Sequence, residues 1–199
     1  MMGGKRMEIA LIRHFATKGN LEKRYIGTTD EGIVMDHAVF GQRQYKEAEV
    51  VIASPMRRCI ETAEVIYQRA PVLCEEFREC DFGLFEYKNY EELKENPLYL
   101  KWLASMGKDP FPQGESVEAF KERSSRGFLK CVRKLCAEGR KSAAMVVHGG
   151  TIMAVMEAFG VPKKEFYDRQ VKNGGGYLVS ICEETWMKGI YQVKEEARL

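Results

Sequence analysis

The chain has 199 residues, 45% of them hydrophobic, which suits one domain with a sizeable core. Lys and Arg total 31 against 29 Asp and Glu, so the net charge of +2 supplies no basic field of the kind nucleic acid demands. No apolar run reaches the roughly 18 residues needed to cross a bilayer, and no secretory signal opens the sequence, so neither nucleic acid nor membrane is expected as a partner and a cytoplasmic setting is.

Residues Met1 to Arg6 read as a loose leader, with structure beginning at Met7. Met7 to Ile12 is a short apolar run bounded by charge, the pattern of a buried strand, and Arg13-His14 stands at its C-terminal end. A second strand, Val50 to Ala53, ends in Ser54-Pro55. A helical stretch follows from Met56 to Arg69, with Ile60, Ala63 and Ile66 on one side, and then a brief strand at Pro71-Val72-Leu73. Leu84 to Gln113 is rich in aromatic and charged residues and is broken by Pro97, Pro110 and Pro112, so an insertion packed over the sheet is expected there. Gly114-Glu115-Ser116 starts a long helix running to Glu138. Ala143 to Val147 forms a third clear strand, ending in His148-Gly149-Gly150, and a helix from Thr151 to about Phe159 stops before Gly160 and Pro162. Gly176 to Ile181 and Trp186 to Val193 read as closing strands.

Strands alternating with helices predict an α/β fold: a three-layer α/β/α sandwich with a mostly parallel central sheet. Residues 1–199 read as a single domain, with a small helical cap-like insertion at about 84–115. Ligands of such folds bind outside the C-terminal ends of the strands. Three strand ends carry Arg13-His14, Ser54 with Arg58 close behind, and His148, and all should converge on one rim. The chain has three histidines, and two of them, His14 and His148, occupy equivalent strand ends; the third, His37, reads as a surface residue. Six cysteines (59, 74, 80, 131, 136 and 182) include no CxxC pair and are expected to be mostly buried small hydrophobes.

These residues carry a family resemblance. Leu11-Ile12-Arg13-His14-x-x-Thr17-x-x-Asn20 resembles the Arg-His signature of the histidine phosphatase superfamily, the phosphoglycerate mutase-like proteins. Four further segments resemble its motifs in the same order: Ser54-Pro55-Met56-Arg57-Arg58-x-x-x-Thr62-Ala63, Phe77 to Glu86, Gly114-Glu115-Ser116, and Val146-Val147-His148-Gly149-Gly150. The match runs from about Ile9 to Tyr177 and selects Arg58 over Arg57.

The resemblance implies a phosphoric monoester hydrolase. His14 would be the nucleophile and form a phosphohistidine; Glu79 would serve as general acid and then general base; His148 would assist. Arg13, Asn20, Arg58, His148 and the backbone of Gly149 would hold the phosphate, with the arginines and a protonated His148 keeping His14 neutral by like-charge repulsion. No metal and no cofactor is called for, since three histidines without an acidic cluster make no convincing metal site. The substrate would be a small phosphorylated metabolite, an α-ribazole phosphatase or sugar phosphatase being the nearest flavour. A phosphoglycerate mutase and a non-catalytic phosphate-binding member are the alternatives, and the oligomeric state, a homodimer included, is left open.

The chain departs from the family at Phe15, where glycine is usual, at Ala16, usually acidic, and at Tyr87, commonly glycine. Phe15 is expected to narrow the pocket or to push the strand end outward. The stretch from Asp30 to Ser54 is shorter than usual, which should leave one sheet face less covered. Asn173-Gly174-Gly175-Gly176 is expected to form a tight turn, and the aromatics at 85, 87, 90, 102 and 111 to serve packing.

Overall fold

Short runs of apolar residues buried on both sides give this protein its sheet. The computed structural model describes residues 5–35 and 45–199. Among these, seven strands form one sheet: β1 (Arg6–Arg13), β2 (Val50–Ala53), β3 (Val72–Leu73), β4 (Ser142–Val147), β5 (Gly160–Val161), β6 (Gly176–Cys182) and β7 (Val193–Arg198). Their order is β3-β2-β4-β1-β6-β7-β5. The half from β3 to β1 is parallel throughout, β6 runs antiparallel to both β1 and β7, and β5 is parallel to β7, so the sheet is mixed with parallel pairing in the majority.

The helices among the described residues are α1 (Lys18–Leu21), α2 (Arg57–Tyr67), α3 (Tyr90–Leu93), α4 (Pro97–Ala104), α5 (Val117–Ala137), α6 (Gly149–Phe159) and α7 (Glu183–Met187). Side chains of a strand alternate between faces, and here both faces are covered. Ile9, Leu11, Met145 and Val147 meet Phe128 and Val132 of α5 and Ile152 and Val155 of α6. On the other face Ala10, Ile12, Ala144 and Val146 meet Cys59 and Ala63 of α2. The result is the expected α/β/α sandwich. Each fully buried Ile, Leu or Phe in it contributes about 1.5–3 kcal/mol.

The segment between β3 and α5 adds no strand to the sheet. It builds its own cluster, in which Phe85, Leu93, Tyr99 and Phe111 are buried against Phe120 of α5, and Trp102 stacks on Phe111 with ring centres 4.8 Å apart. Tyr87 and Tyr90 stand at the surface instead. Ser116 caps α5 by accepting a hydrogen bond from the Ala119 N–H at 3.1 Å, as the Gly-Glu-Ser element predicts. No helix among the described residues is long and apolar enough to cross a membrane.

Three expectations are corrected, and one element was unforeseen. Arg6 already belongs to β1, while Met1–Gly4 lie outside the described residues, as do His37 and much of the stretch after Asp30. The helix expected from Thr151 begins at Gly149. The two-residue β5 carries no sequence signal of its own. Finally, Trp186 lies in α7, turned in against Phe128 and Phe159, and the closing strand is Val193–Arg198. That strand reads Val-Lys-Glu-Glu-Ala-Arg and buries only Val193, so the apolar alternation that marks the other strands is missing from it.

Candidate active site

Strands β1 and β4 are parallel neighbours with Arg13 opposite Val147, so the residues that follow them, His14 and His148, emerge side by side. Their ring centres are 5.3 Å apart, at 68° to each other. Both are buried. The His14 N–H donates to the Val147 carbonyl at 2.9 Å, continuing the ladder past the strand end. In the ring, Nδ1 lies 2.6 Å from the carbonyl oxygen of Phe15. A carbonyl oxygen only accepts, so Nδ1 carries the proton and Nε2 is left with its lone pair.

Burial, then the Arg58 guanidinium and, more weakly, Arg13, hold the His14 imidazole well below its ordinary pKa, against the opposing pull of the Phe15 carbonyl. Burial, Arg58, His14 and Arg13 do the same to His148. Both shifts favour the neutral ring and weigh against a protonated His148, because a ring without solvent that faces two arginines accepts a further positive charge poorly. Its Nε2 is 2.8 Å from Ser54 Oγ, at the end of β2.

Arg58 lies in the first turn of α2 and is 1% exposed. Its guanidinium is fixed by donating to the carbonyls of Thr29 at 2.8 Å, Gly27 at 3.0 Å and Ile26 at 3.3 Å. Arg57 turns outward and pairs with Glu61 at 2.6 Å on the surface. Arg13 donates through one terminal nitrogen to the Val171 carbonyl at 2.8 Å, while its Nε is buried without a partner among the described residues. A Cβ at Gly149 would sit 3.4 Å from that Nε. Gly149 opens α6, whose cap residue His148 makes no side-chain capping bond. An orphan guanidinium N–H beside uncapped helix N–H groups is an arrangement able to bind an anion.

Glu79 stands across from His148, with Oε2 3.9 Å from Nδ1 and a side chain 14% exposed. Burial pushes its carboxyl above the usual range, opposed by the Cys80 N–H and by Arg58, Arg13 and Arg123. Arg123 positions this segment: it grips both oxygens of Glu115, at 3.0 and 2.7 Å, and donates to the carbonyls of Glu76 and Arg78, both at 2.9 Å. Beside Glu79 opens a cleft of about 160 Å³, floored by Arg13, Gly149 and Gly150 and walled by Met153, Gln170 and Val171. A larger cavity of about 540 Å³ lies at the β3 edge of the sheet, against α5, and holds none of these residues.

Asn20 lies in α1, capped by Thr17 in a reciprocal box. Its Oδ1 accepts from the Thr17 N–H at 3.2 Å and from Asn173 Nδ2 at 3.1 Å, and the same Nδ2 donates to the His14 carbonyl at 3.1 Å. Asn20 is thus held against the His14 loop, its own amide group unpaired among the described residues. Across those residues no group of three or more His, Cys, Asp or Glu is placed to share a metal ion.

The family profile of the histidine phosphatase superfamily (branch 1) matches residues 9–191. The chain belongs to that superfamily. A curated relative, the probable phosphoglycerate mutase GpmB of Escherichia fergusonii, is 29% identical over 192 residues, covering 91% of this chain and 88% of that protein. A crystal structure of phosphoglycerate mutase from Thermus thermophilus is 28% identical, covers 97% of this chain and 98% of its own, and superposes with a TM-score of 0.67. An Escherichia coli K-12 structure, assigned provisionally as an alpha-ribazole-5'-P phosphatase, reaches a TM-score of 0.79 at 18% identity over 96% of this chain and 95% of its own, a likeness of fold.

Within this histidine phosphatase fold the Phe15 departure turns out differently from expectation. The ring is 2% exposed and lies edge-on to Tyr45, against Gly174, whose φ of +72° and missing Cβ make the room. The Phe15 N–H donates to Thr62 Oγ1 at 2.9 Å, and the Arg13 N–H donates to the Gly175 carbonyl at 2.8 Å. The strand end keeps its ladder because the glycine turn at 174–176 absorbs the extra bulk. Sequence reasoning missed Arg123, and named Ser54, Thr62 and Asn173 without a role in the site. Asn173 precedes the glycine run that was legible, whereas nothing local marks Arg123 on its helix.

Proposed function

We propose that this protein is a metal-independent phosphomonoesterase that moves a phosphoryl group from a small phosphorylated metabolite to Nε2 of His14 and from there to water. The observation that carries this reading is the 2.6 Å contact from His14 Nδ1 to the Phe15 carbonyl, which fixes the neutral tautomer with its lone pair on Nε2, beside two arginines. In the first step Nε2 attacks phosphorus and the bond to the alcohol oxygen breaks; Glu79, whose raised pKa keeps a proton available, gives it to the departing oxygen. In the second step Glu79, now a carboxylate, takes a proton from water as that oxygen attacks the phosphohistidine, and inorganic phosphate and free His14 result. Arg58, the orphan Arg13 N–H, the N–H groups at Gly149, the Asn20 amide and His148 surround the phosphate oxygens and supply the donors that developing charge needs.

Hydrolysis of p-nitrophenyl phosphate in excess EDTA tests this, with the native protein compared with His14→Ala. Turnover that persists in EDTA and vanishes in the variant supports it; turnover retained by His14→Ala, or abolished by EDTA, sinks it. The names of the 28–29% identical relatives favour a second reading, transfer to a phosphoglycerate hydroxyl in place of water. A mutase must hold a second anionic group, yet the residues around the cleft include one cation, Arg13. In the segment before α5 the four lysines are Lys88, Lys94, Lys101 and Lys108, and Lys94 is already paired with Glu91 at 2.8 Å.

A further inference from the structure

Resting on that reading, we infer that the leaving alcohol is a small, uncharged, hydroxylated group and that Gln170 recognises it. The alcohol must lie in the cleft beside Glu79, because Glu79 delivers the proton to its oxygen. That cleft holds about 160 Å³. At ~30 Å³ for each water displaced, this is the room of about five waters, shared by the phosphoryl group beside Arg13 and Gly149 and an alcohol of about three carbons.

Its charges decide the class. The two ionisable side chains lining it are Arg13 and Glu79, and the others named on its walls are glycine, Met153, Val171 and Gln170. Arg13 already spends one terminal nitrogen on the Val171 carbonyl, and its unpartnered Nε faces Gly149, where the phosphate belongs. A carboxylate or second phosphate on the alcohol would therefore enter next to Glu79 with no cation of its own. A hydroxyl both donates and accepts, and the Gln170 amide does the same.

Gln170 is also well placed to discriminate. On one side Arg169 is fully buried, paired with Glu195 and donating to the Pro162 carbonyl at 2.8 Å. On the other, Val171 is tied to Arg13. The backbone is thus anchored at both neighbours, while the Gln170 side chain is exposed and makes no hydrogen bond among the described residues. A rigid mount with an uncommitted amide is the arrangement selective recognition needs.

Equilibrium binding separates this from the chemistry. Glycerol 3-phosphate and 3-phosphoglycerate differ only in a CH₂OH against a carboxylate, and titration calorimetry on His14→Ala measures both without turnover. The glycerol ester should bind at least about tenfold more tightly, the order expected when one ligand brings an unpaired charge into a confined site. Adding Gln170→Ala should weaken the glycerol ester about three- to tenfold, the worth of one hydrogen bond, and Gln170→Lys should erase or reverse the preference. Equal affinities, a preference for 3-phosphoglycerate, binding of neither, or a preference indifferent to both Gln170 variants overturns the inference. The p-nitrophenyl phosphate assay judges the reaction separately: selective binding without turnover would leave the cleft assignment standing and remove the hydrolase.

Discussion

Gly150 and Glu79 fit against each other: a methyl group on Gly150 would lie 2.9 Å from Glu79 Oε1, and equally close to the ring of Phe120. The far end of a carboxylate side chain gives way more easily than the packed ring. Gly150→Ala is therefore expected to displace the carboxyl and also to press on the Phe120 ring, lowering the melting temperature and lowering kcat on an alkyl phosphate about 10–100-fold, the usual cost of moving a reacting group by about 1 Å. Steady-state kinetics together with a thermal melt would check both halves.

Glu79→Gln should separate substrates by leaving group. Alkyl phosphates need a proton on the departing oxygen and should slow about 10²–10⁴-fold, whereas p-nitrophenolate departs without one and should slow far less. Equal losses on both substrates would remove Glu79 from the role of acid.

The pH profile follows from the two displaced pKa values. His14 must be neutral to attack, and its pKa lies well below the ordinary 6.5, so the acid limb of kcat/KM should fall below that value. Glu79 must be protonated to act, and its raised pKa carries the alkaline limb above the ordinary 4.5. The expected result is a bell whose acid limb lies below pH 6.5 and whose alkaline limb lies above 4.5, and a profile still rising at neutrality would contradict it.

Stability should respond to the same groups. A base whose pKa is lowered on folding binds more protons when unfolded, so stability declines as pH falls below the unfolded value of 6.5. His14 and His148 both act in this sense, while Glu79, raised on folding, opposes them. Removing one of the two imidazoles shifts the balance, so the urea midpoint of His148→Gln should fall less between pH 7 and pH 5 than that of the native protein.

Phe15 fills the space left by Gly174, so Phe15→Ala empties a packed position and should destabilise the protein by about 3–5 kcal/mol, measurable by urea titration.

The three strand ends and their histidines were legible because a fully buried strand must be a continuous apolar run, and β1, β2 and β4 are such runs. That His14 and His148 share one rim followed from their places at the C-terminal ends of parallel strands, together with the family likeness. The last strand was misplaced because Val193–Arg198 is mostly charged where the others are apolar. Arg123 was invisible for a different reason: on a helix of 21 residues, a cation that braces a loop has the same local signature as one that faces water. Phe15 looked disruptive because the compensation lies in Gly174, far along the chain.

The hydrogen bond from Asn173 to the His14 carbonyl joins residues 159 apart in sequence, and the ladder bond from His14 reaches Val147. During synthesis, then, the first strand waits through most of translation for the partners that flank it. The burial that lowers the His14 pKa is therefore complete only once β4 and β6 have joined β1. A chain interrupted before residue 142 would lack both strands that flank β1 and so the neighbours that bury its nucleophile.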